Sequence, residues 1–274
     1  TYTLRYKVAC VNEKGEVSGP AKGVHSNAKH PSDWVVGDYA ILTWYPVEGA
    51  DSYLVYREEG GTYGLIGVSD GSELTSGGQV IFRDERFAAD TKDTPREPHN
   101  PFTEDNNPGI VTFHQQRLVL GAPALQPQSG HASRTGNYED FSKSKPLKDD
   151  DALEFTLASG RIDAVQWVAA FGDLLLGTAG GEYKAIGPDS GTITPSSINV
   201  REQSFWGSAR LRPLIIGNSV LHVQRQGSRV RDLTYSLEKN GYAGNDLSVL
   251  APHLFDNHLI RQWDYQQSPN SIVH

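Results

Sequence analysis

Three arginines lie close together in "VQRQGSRVRD": Arg225, Arg229 and Arg231. Glycine leading a two-residue Gly227-Ser228 loop suits a type II′ turn, which would place the arginines on paired strands, where same-face neighbours are about 5 Å apart. Three cations that close repel one another unless an anion faces them. A neighbouring subunit's carboxylates or a passing DNA phosphate would serve, and a solvated hairpin tip is the plainer reading. The other candidates carry less. "GTAGGE" at 177–182 has the glycines of a phosphate loop but neither its Lys-Ser/Thr pair nor a following helix, so it reads as a hairpin turn. "DDD" at 149–151 could bind a metal or supply paired carboxylates. Adjacent acids on a strand point to opposite faces, however, and Lys143, Lys145 and Lys148 are near, which favours a solvated charged loop. Ser129, His131 and Asp140 are the residue types of a hydrolytic triad without a GxSxG elbow. The nine histidines include no HExxH and no zinc-site spacing with cysteine. His114 in "FHQQR" and His222 in "LHVQR" stand beside repeated turns and read as structural. No catalytic residue, no metal and no cofactor is expected.

The elements that must position these residues are short strands. Across 274 residues, 28 glycines and 15 prolines interrupt runs rich in Val, Ile, Leu, Tyr and Phe, and no long stretch keeps a 3.6-residue apolar period. The best helical candidate is "NDLSVLAPHLF", capped by Asn245 or Asp246 and limited by Pro252. No window approaches the ~18 consecutive apolar residues of a membrane helix. The net charge of −8 argues against a protein that grips nucleic acid over its whole surface. Cys10 is the only cysteine, so no internal disulfide forms, which favours a reducing compartment. Methionine is absent even at position 1, and Thr1 opens directly into a strand-like run, which reads as an excised fragment.

Four regions follow along the chain. Residues 1–30 hold two strands, "YTLRYKVACVN" and "VSGPAKGVH", either the tail of a preceding domain or the completion of the next. Residues 31–86 hold "YAILTWYPV", "SYLVYRE", "YGLIGVS" and "GQVIFRD", with Trp44 and Tyr53 flanking one turn as an aromatic plug between two sheets. Residues 87–108 are polar and proline-rich, a linker or a belt along the surface. Residues 109–274 repeat a strand-turn-strand unit: "VTFHQQRLVLG", "VQWVAAFGDLLLG", "LRPLIIGNSVLHV" and "IRQWDYQQSPNSIVH". The turns near Arg117, Asp173, Asn218 and Asn270 are 45 to 56 residues apart, about the length of a four-stranded propeller blade, and the last unit stops at His274.

Two resemblances sharpen this reading. "LTWYPVEGADSYLVYRE" resembles the second and third strands of the fibronectin type III family, and "YTLRYKVACVNEKGEVSGPA" its last two strands, here placed first. Residues 109–274 resemble the tail nozzle or hub proteins of short-tailed bacteriophages, known in prophages as DNA-stabilisation proteins. The ordered series "FHQQRLVLGAP", "SRTGNYEDF", "DDDALEFTLASGRIDAVQWV", "LLLGTAGGEY", "QSFWGSARLRPLIIGNSVLHVQRQGSRVRDLTY", "DLSVLAPHLF" and "YQQSPNSIVH" carries that likeness. The resemblances imply an all-β chain, a fibronectin III-like sandwich followed by partial β-propeller blades. They imply a non-enzymatic structural virion component, assembled in the bacterial cytoplasm and working in a tail during DNA ejection. Its partners would be copies of itself in a ring, other tail or portal-proximal proteins and, weakly, passing DNA, with no membrane. Trp44 and Tyr53 would form the sandwich core, Trp206 or Trp263 would anchor an interface, and Arg225, Arg229 and Arg231 would meet a subunit or DNA. The alternative is a secreted fibronectin-plus-propeller carbohydrate-binding protein or glycosidase. "SDGSELTSG" near 69–77 is a poor match to the sialidase box that reading needs.

Overall fold

The computed structural model describes residues 2–103, 105–157, 163–188, 191–255 and 257–274, without the side chains of residues 26 and 27. Thr1, Glu104 and residues 158–162, which fall within stretches read above, lie outside the described residues. The chain is all-β, built of antiparallel sheets, none of them closed. It divides into two compact units: Thr1–His99 with Ser142–Lys148, and Asn100–Phe141 with Asp149–His274. The proline-rich 87–108 stretch is therefore not one linker. Its first part belongs to unit 1, where Leu65 and Asp90 exchange backbone hydrogen bonds of 3.1 and 2.8 Å. An extended, helix-incompatible segment keeps its amides and carbonyls available, and a sheet edge is where they find partners.

Among the described residues, unit 1 contains six strands: β1 (Tyr2–Asn12), β2 (Ala21–Ala28), β3 (Ala40–Trp44), β4 (Ala50–Glu59), β5 (Thr62–Ser69) and β6 (Val80–Asp84). They form a four-stranded sheet ordered β2-β1-β4-β5 and a two-stranded sheet β3-β6. The N-terminal pair thus completes the sheet of the residues that follow it, with β1 and β4 paired in one register from Tyr6↔Arg57 to Val11↔Ser52 and shifted at Asn12↔Ala50. Leu4, Tyr6, Trp34, Val55 and Ile66 are the buried core, with Leu42, Trp44 and Phe82 packed against them from the smaller sheet. Trp44 and Tyr53 do meet, ring centroids 5.3 Å apart. Tyr53 is buried while Trp44 is half-buried, so the tryptophan that fills the core is Trp34 and not Trp44. The reason is position: β3 pairs on one side only, so its last residue is covered from one side.

The same core contains a charged pair. Arg57 is 1 % exposed and Asp84 0 %. One Arg57 terminal nitrogen donates to both Asp84 oxygens at 2.9 and 2.7 Å, the Tyr6 hydroxyl donates to Asp84 at 2.9 Å, and the other nitrogen reaches Glu59 and, at 2.8 Å, the Phe87 carbonyl. Buried charges persist only when paired and bonded in this way.

Unit 2 repeats one pattern three times. The strands are β7 (Ile110–His114), β8 (Arg117–Gly121), β9 (Ser129–Ala132) and β10 (Leu153–Thr156); β11 (Val165–Phe171), β12 (Asp173–Thr178), β13 (Glu182–Ile186) and β14 (Asn199–Ser204); and β15 (Leu214–Ile216), β16 (Ser219–Val223), β17 (Val230–Ser236) and β18 (Gly241–Ala243). Each group of four is one antiparallel sheet with its strands in chain order. A further hairpin, β19 (Tyr265–Gln266) and β20 (Ile272–Val273), follows. The repeated turns each join the first two strands of a sheet, at His114↔Arg117, Phe171↔Asp173 and Ile216↔Ser219. In the first of these, Gln115 and Gln116 both adopt positive φ, the conformation of a type I′ hairpin turn. The 245–255 segment forms two 3₁₀ turns, Leu247–Leu250 capped by the Asp246 side chain and Pro252–Leu254 opened by proline. Asp246 caps as expected, and Pro252 divides the segment in two.

The middle sheet explains the uninterrupted "DLLLGT". Leu174 and Leu176 of β12 join one core with Val119, Leu153 and Phe155 of the preceding sheet, while Leu175 joins another with Trp167, Val220 and Leu233 toward the following sheet. A strand covered on both faces needs apolar residues at every position, not at alternate ones.

Candidate functional site

The first strands of the three four-stranded sheets converge with the start of the last hairpin. β7, β11, the entry to β15 and the start of β19 line one cavity of about 800 Å³, whose walls include Phe113, Trp167, Arg210, Arg212, Asp264 and Tyr265. Arg210 and Arg212 are exposed at this cavity and are the two site residues that the reading of the sequence missed. The local signal was "RLR" immediately before a repeat's first strand. Trp263, expected as an interface anchor, is half-buried and donates its indole N–H to the Arg212 carbonyl at 2.7 Å, so it holds the entry to β15.

A second concentration of polar groups lies between the middle and last four-stranded sheets. Cross-strand partners share a face, so His222 and Arg231, which are paired, and Val220 and Leu233, also paired, all point toward the middle sheet. There they meet Glu182 of β13. The Ser208 hydroxyl donates to Glu182 at 2.9 Å and lies 3.0 Å from His222 Nδ1, and Ser204 also bonds Glu182. With its hydroxyl proton given to Glu182, Ser208 accepts from His222 Nδ1–H, which leaves Nε2 bare and buried. Hydroxyl, imidazole and carboxylate are hydrolytic in type, but Ser208, His222 and Glu182 are 2 %, 1 % and 1 % exposed, which closes the trio to substrate. Its chemistry is that of a buried, hydrogen-bonded bridge between sheets.

Burial, followed by the charge of Arg231, lowers the His222 pKa to about 4. Burial raises the Glu182 pKa, opposed by its hydrogen bonds from Ser204 and Ser208. The signs work against each other. A depressed histidine contributes stability that is full above its unfolded pKa near 6.5 and lost as pH falls toward 4. A raised carboxyl contributes stability that is full below its unfolded pKa near 4.5 and lost as pH rises. Between about pH 4.5 and 6.5 the two slopes oppose. Glu182→Gln is therefore expected to make urea midpoints rise more steeply with pH across that window than in the wild type, and His222→Gln to do the reverse. Parallel curves for all three proteins would show that the two groups do not titrate as placed.

The arginine cluster separates in the fold. Arg231 is 6 % exposed, donates to Gln224 at 3.0 Å and lies 3.6 Å from the centroid of Trp206, which is itself half exposed. It is thus an inward-facing residue and not part of a surface patch. Arg229 is exposed and paired with Asp246 at 2.8 Å, and Arg225 is exposed near the Ala179 carbonyl at 3.5 Å. The loop between them is also longer than expected. Gln224 accepts from Gly227 and donates to the Arg229 carbonyl, so four residues and not two form the tip. This shifts the register by two residues, and a shift of two leaves every side chain on its face.

Other sequence candidates are occupied structurally. The "DDD" run is not a free solvated loop: Asp151 is fully buried, Arg117 donates to the backbone carbonyls of Asp149 and Asp151 at 2.7 and 2.6 Å, and Arg134 pairs with Asp150. Asp140 pairs with Arg134 at 3.2 Å, the Ser129 hydroxyl bonds Thr156 at 3.1 Å, and the His131 ring stands edge-on to Phe102. "GTAGGE" is a turn in which the Thr178 hydroxyl accepts from the amides of Gly180 and Gly181. His114 and His222 are not equivalent, since His114 ends the first strand of its sheet and His222 lies within the second strand of another. Among the described residues, no group of three or more His, Cys, Asp or Glu could hold a metal. No protein-family model matches the chain, and no curated protein matches it significantly.

Proposed function

We propose that this chain is a structural component of a short phage or prophage tail, a nozzle or hub that packs as a ring of copies around a DNA exit channel and acts through its subunit interfaces. The observation that carries the proposal is the convergence of the first strands of three successive four-stranded sheets, with the start of the hairpin that follows them, on one cavity. Four-stranded meanders in chain order, related in this way, are what consecutive blades of a partial β-propeller require. The facing sheets of unit 1, with their stacked Trp44–Tyr53 pair, support the fibronectin III-like reading of the region ahead of them. Exposed Leu247, Val249, Leu250, Leu254 and Leu259 supply apolar surface of the kind that interfaces cover. The net charge of −8 suits a wall past which DNA slides.

The test is where the protein resides. In lysates of an induced host carrying the gene, peptides of this chain are expected in density-purified particles, in the tail fraction. Recovery only in particle-free medium would overturn the reading and favour a secreted carbohydrate-binding protein. Duplex DNA binding is a second measure. With Arg231 inward, two arginines remain on the hairpin, so log affinity is expected to fall with log salt with a slope no steeper than about −1.8, taking ~0.9 per phosphate contact. A steep slope with tight binding would describe a protein that grips DNA.

A further inference from the structure

The two sheets of unit 1 differ in width, four strands facing two, and their edges are treated unequally. The outer edge of β5 is covered by Asp90, through its paired bonds with Leu65. The outer edge of β6 is covered by 73–75, where Ile81 N–H donates to the Glu73 carbonyl at 2.9 Å and Leu74 bridges Val80. On the opposite side, among the described residues, no backbone group pairs with the outer edge of β3 or of β2. Between these two free edges runs a groove of about 550 Å³, walled by Tyr6, Val8, β2 and Tyr39–Trp44.

The groove has the dimensions and chemistry of a missing strand. Ala21, Gly23 and His25 of β2 pair with Val8, Tyr6 and Leu4, so they share the inward face of the sheet. Two of the three are the smallest residues available, all three are exposed, and a Cβ added at Gly23 would meet no atom within 4 Å. The space above β2 is thus open for side chains arriving from β3's side. Trp44 lines the groove and its indole N–H is buried without an acceptor. Ile41 and Val24 are exposed beside it. Apart from tyrosines, the ionisable residues that line it, among the described residues, are His25 on the inward face and Lys22, which pairs with Lys7 and so stands at the rim on the opposite face of β2, with no carboxylate among them.

We propose that this groove receives an extended acidic-apolar segment of another polypeptide, which pairs with the free edge of β3 as a third strand of the smaller sheet. Main-chain hydrogen bonds to β3 supply affinity, and alternate side chains lie over Gly23 and Ala21. β3 spans five residues, so a segment of about five residues, near 17 Å long, fills it. Large apolar residues at alternate positions fit above the small residues of β2, a carbonyl at the Trp44 end accepts the indole proton, and flanking carboxylates answer Lys22.

The experiment uses the full chain and an acetylated seven-residue peptide alternating valine with threonine and carrying a glutamate at each end. Amide hydrogen exchange at residues 40–44 is expected to slow about tenfold or more at saturating peptide, and the Trp44 indole proton to shift in nitrogen-edited spectra. Gly23→Leu fills the groove from an open position and is expected to abolish the protection with the unfolding midpoint unchanged. Lys22→Glu is expected to weaken binding up to about fivefold, the scale of one exposed ion pair. Absence of protection, or equal protection at other sheet edges, overturns the proposal. Protection of 40–44 that grows with protein concentration in the absence of peptide overturns it as well, by assigning the groove to a second copy of this chain.

Discussion

Asp84→Ala is expected to destabilise unit 1 by about 3–5 kcal/mol, because it strands a buried guanidinium. Arg57 would keep Glu59, whose side chain is 42 % exposed, and the Phe87 carbonyl, but lose both bonds to Asp84, and the Tyr6 hydroxyl would lose its acceptor. Asp84 also accepts from the amides of Arg86 and Phe87, so the turn after β6 loosens with it. Against a whole-domain stability of about 5–15 kcal/mol, a loss of that size is large. Chemical denaturation with hydrogen exchange read at β4 localises the effect to unit 1. Replacing both partners, Arg57→Met with Asp84→Leu, is expected to recover much of the loss, since the penalty belongs to the unpaired charge and not to the missing pair. A single Asp84→Ala variant within about 1 kcal/mol of wild type would show that Glu59 alone satisfies Arg57.

Trp167→Ala is expected to cost unit 2 about 3–5 kcal/mol, as large-to-small core changes do. The indole is buried between the middle and last four-stranded sheets, alongside Leu175, Val220 and Leu233, with its ring 5.6 Å from His222. Gly177, its pairing partner on β12, exists to admit it: a Cβ there would lie 2.1 Å from the indole. Gly177→Ala is therefore expected to destabilise as well, by about 1–3 kcal/mol through overpacking. Two residues in contact do not act independently, and Gly177→Ala is expected to cost far less in the Trp167→Ala background. Urea unfolding of the four proteins in that cycle measures the coupling. Additive losses would mean that the ring moves aside.

Much of this was legible because it is local. The turns that open each repeat of unit 2 follow from a few adjacent residues, and alternation or its absence follows from which faces of a strand are covered. "DLLLGT" could have been read further, since three consecutive leucines on one strand require cover on both sides. The inward position of Arg231 was also legible: it shares its face with Leu233 two residues on, and a charged residue two positions from a core leucine points inward on any strand. The spacing of the arginines drew attention instead to the hairpin tip.

Other features could not be read from neighbouring residues. By itself the sequence determined an all-β chain, the place of most strands and the repeat in its second part, because strand propensity, glycine and proline turns and period-two burial act over a few residues. Only the tertiary structure decided that β1 lies beside β4, that residues 142–148 return to unit 1, that Asp84 finds Arg57 and that Ser208 finds Glu182. Each of these joins residues far apart in the chain. The burial that makes such a pairing favourable exists only once the sheets have met, and no short stretch of sequence encodes which partner will be there.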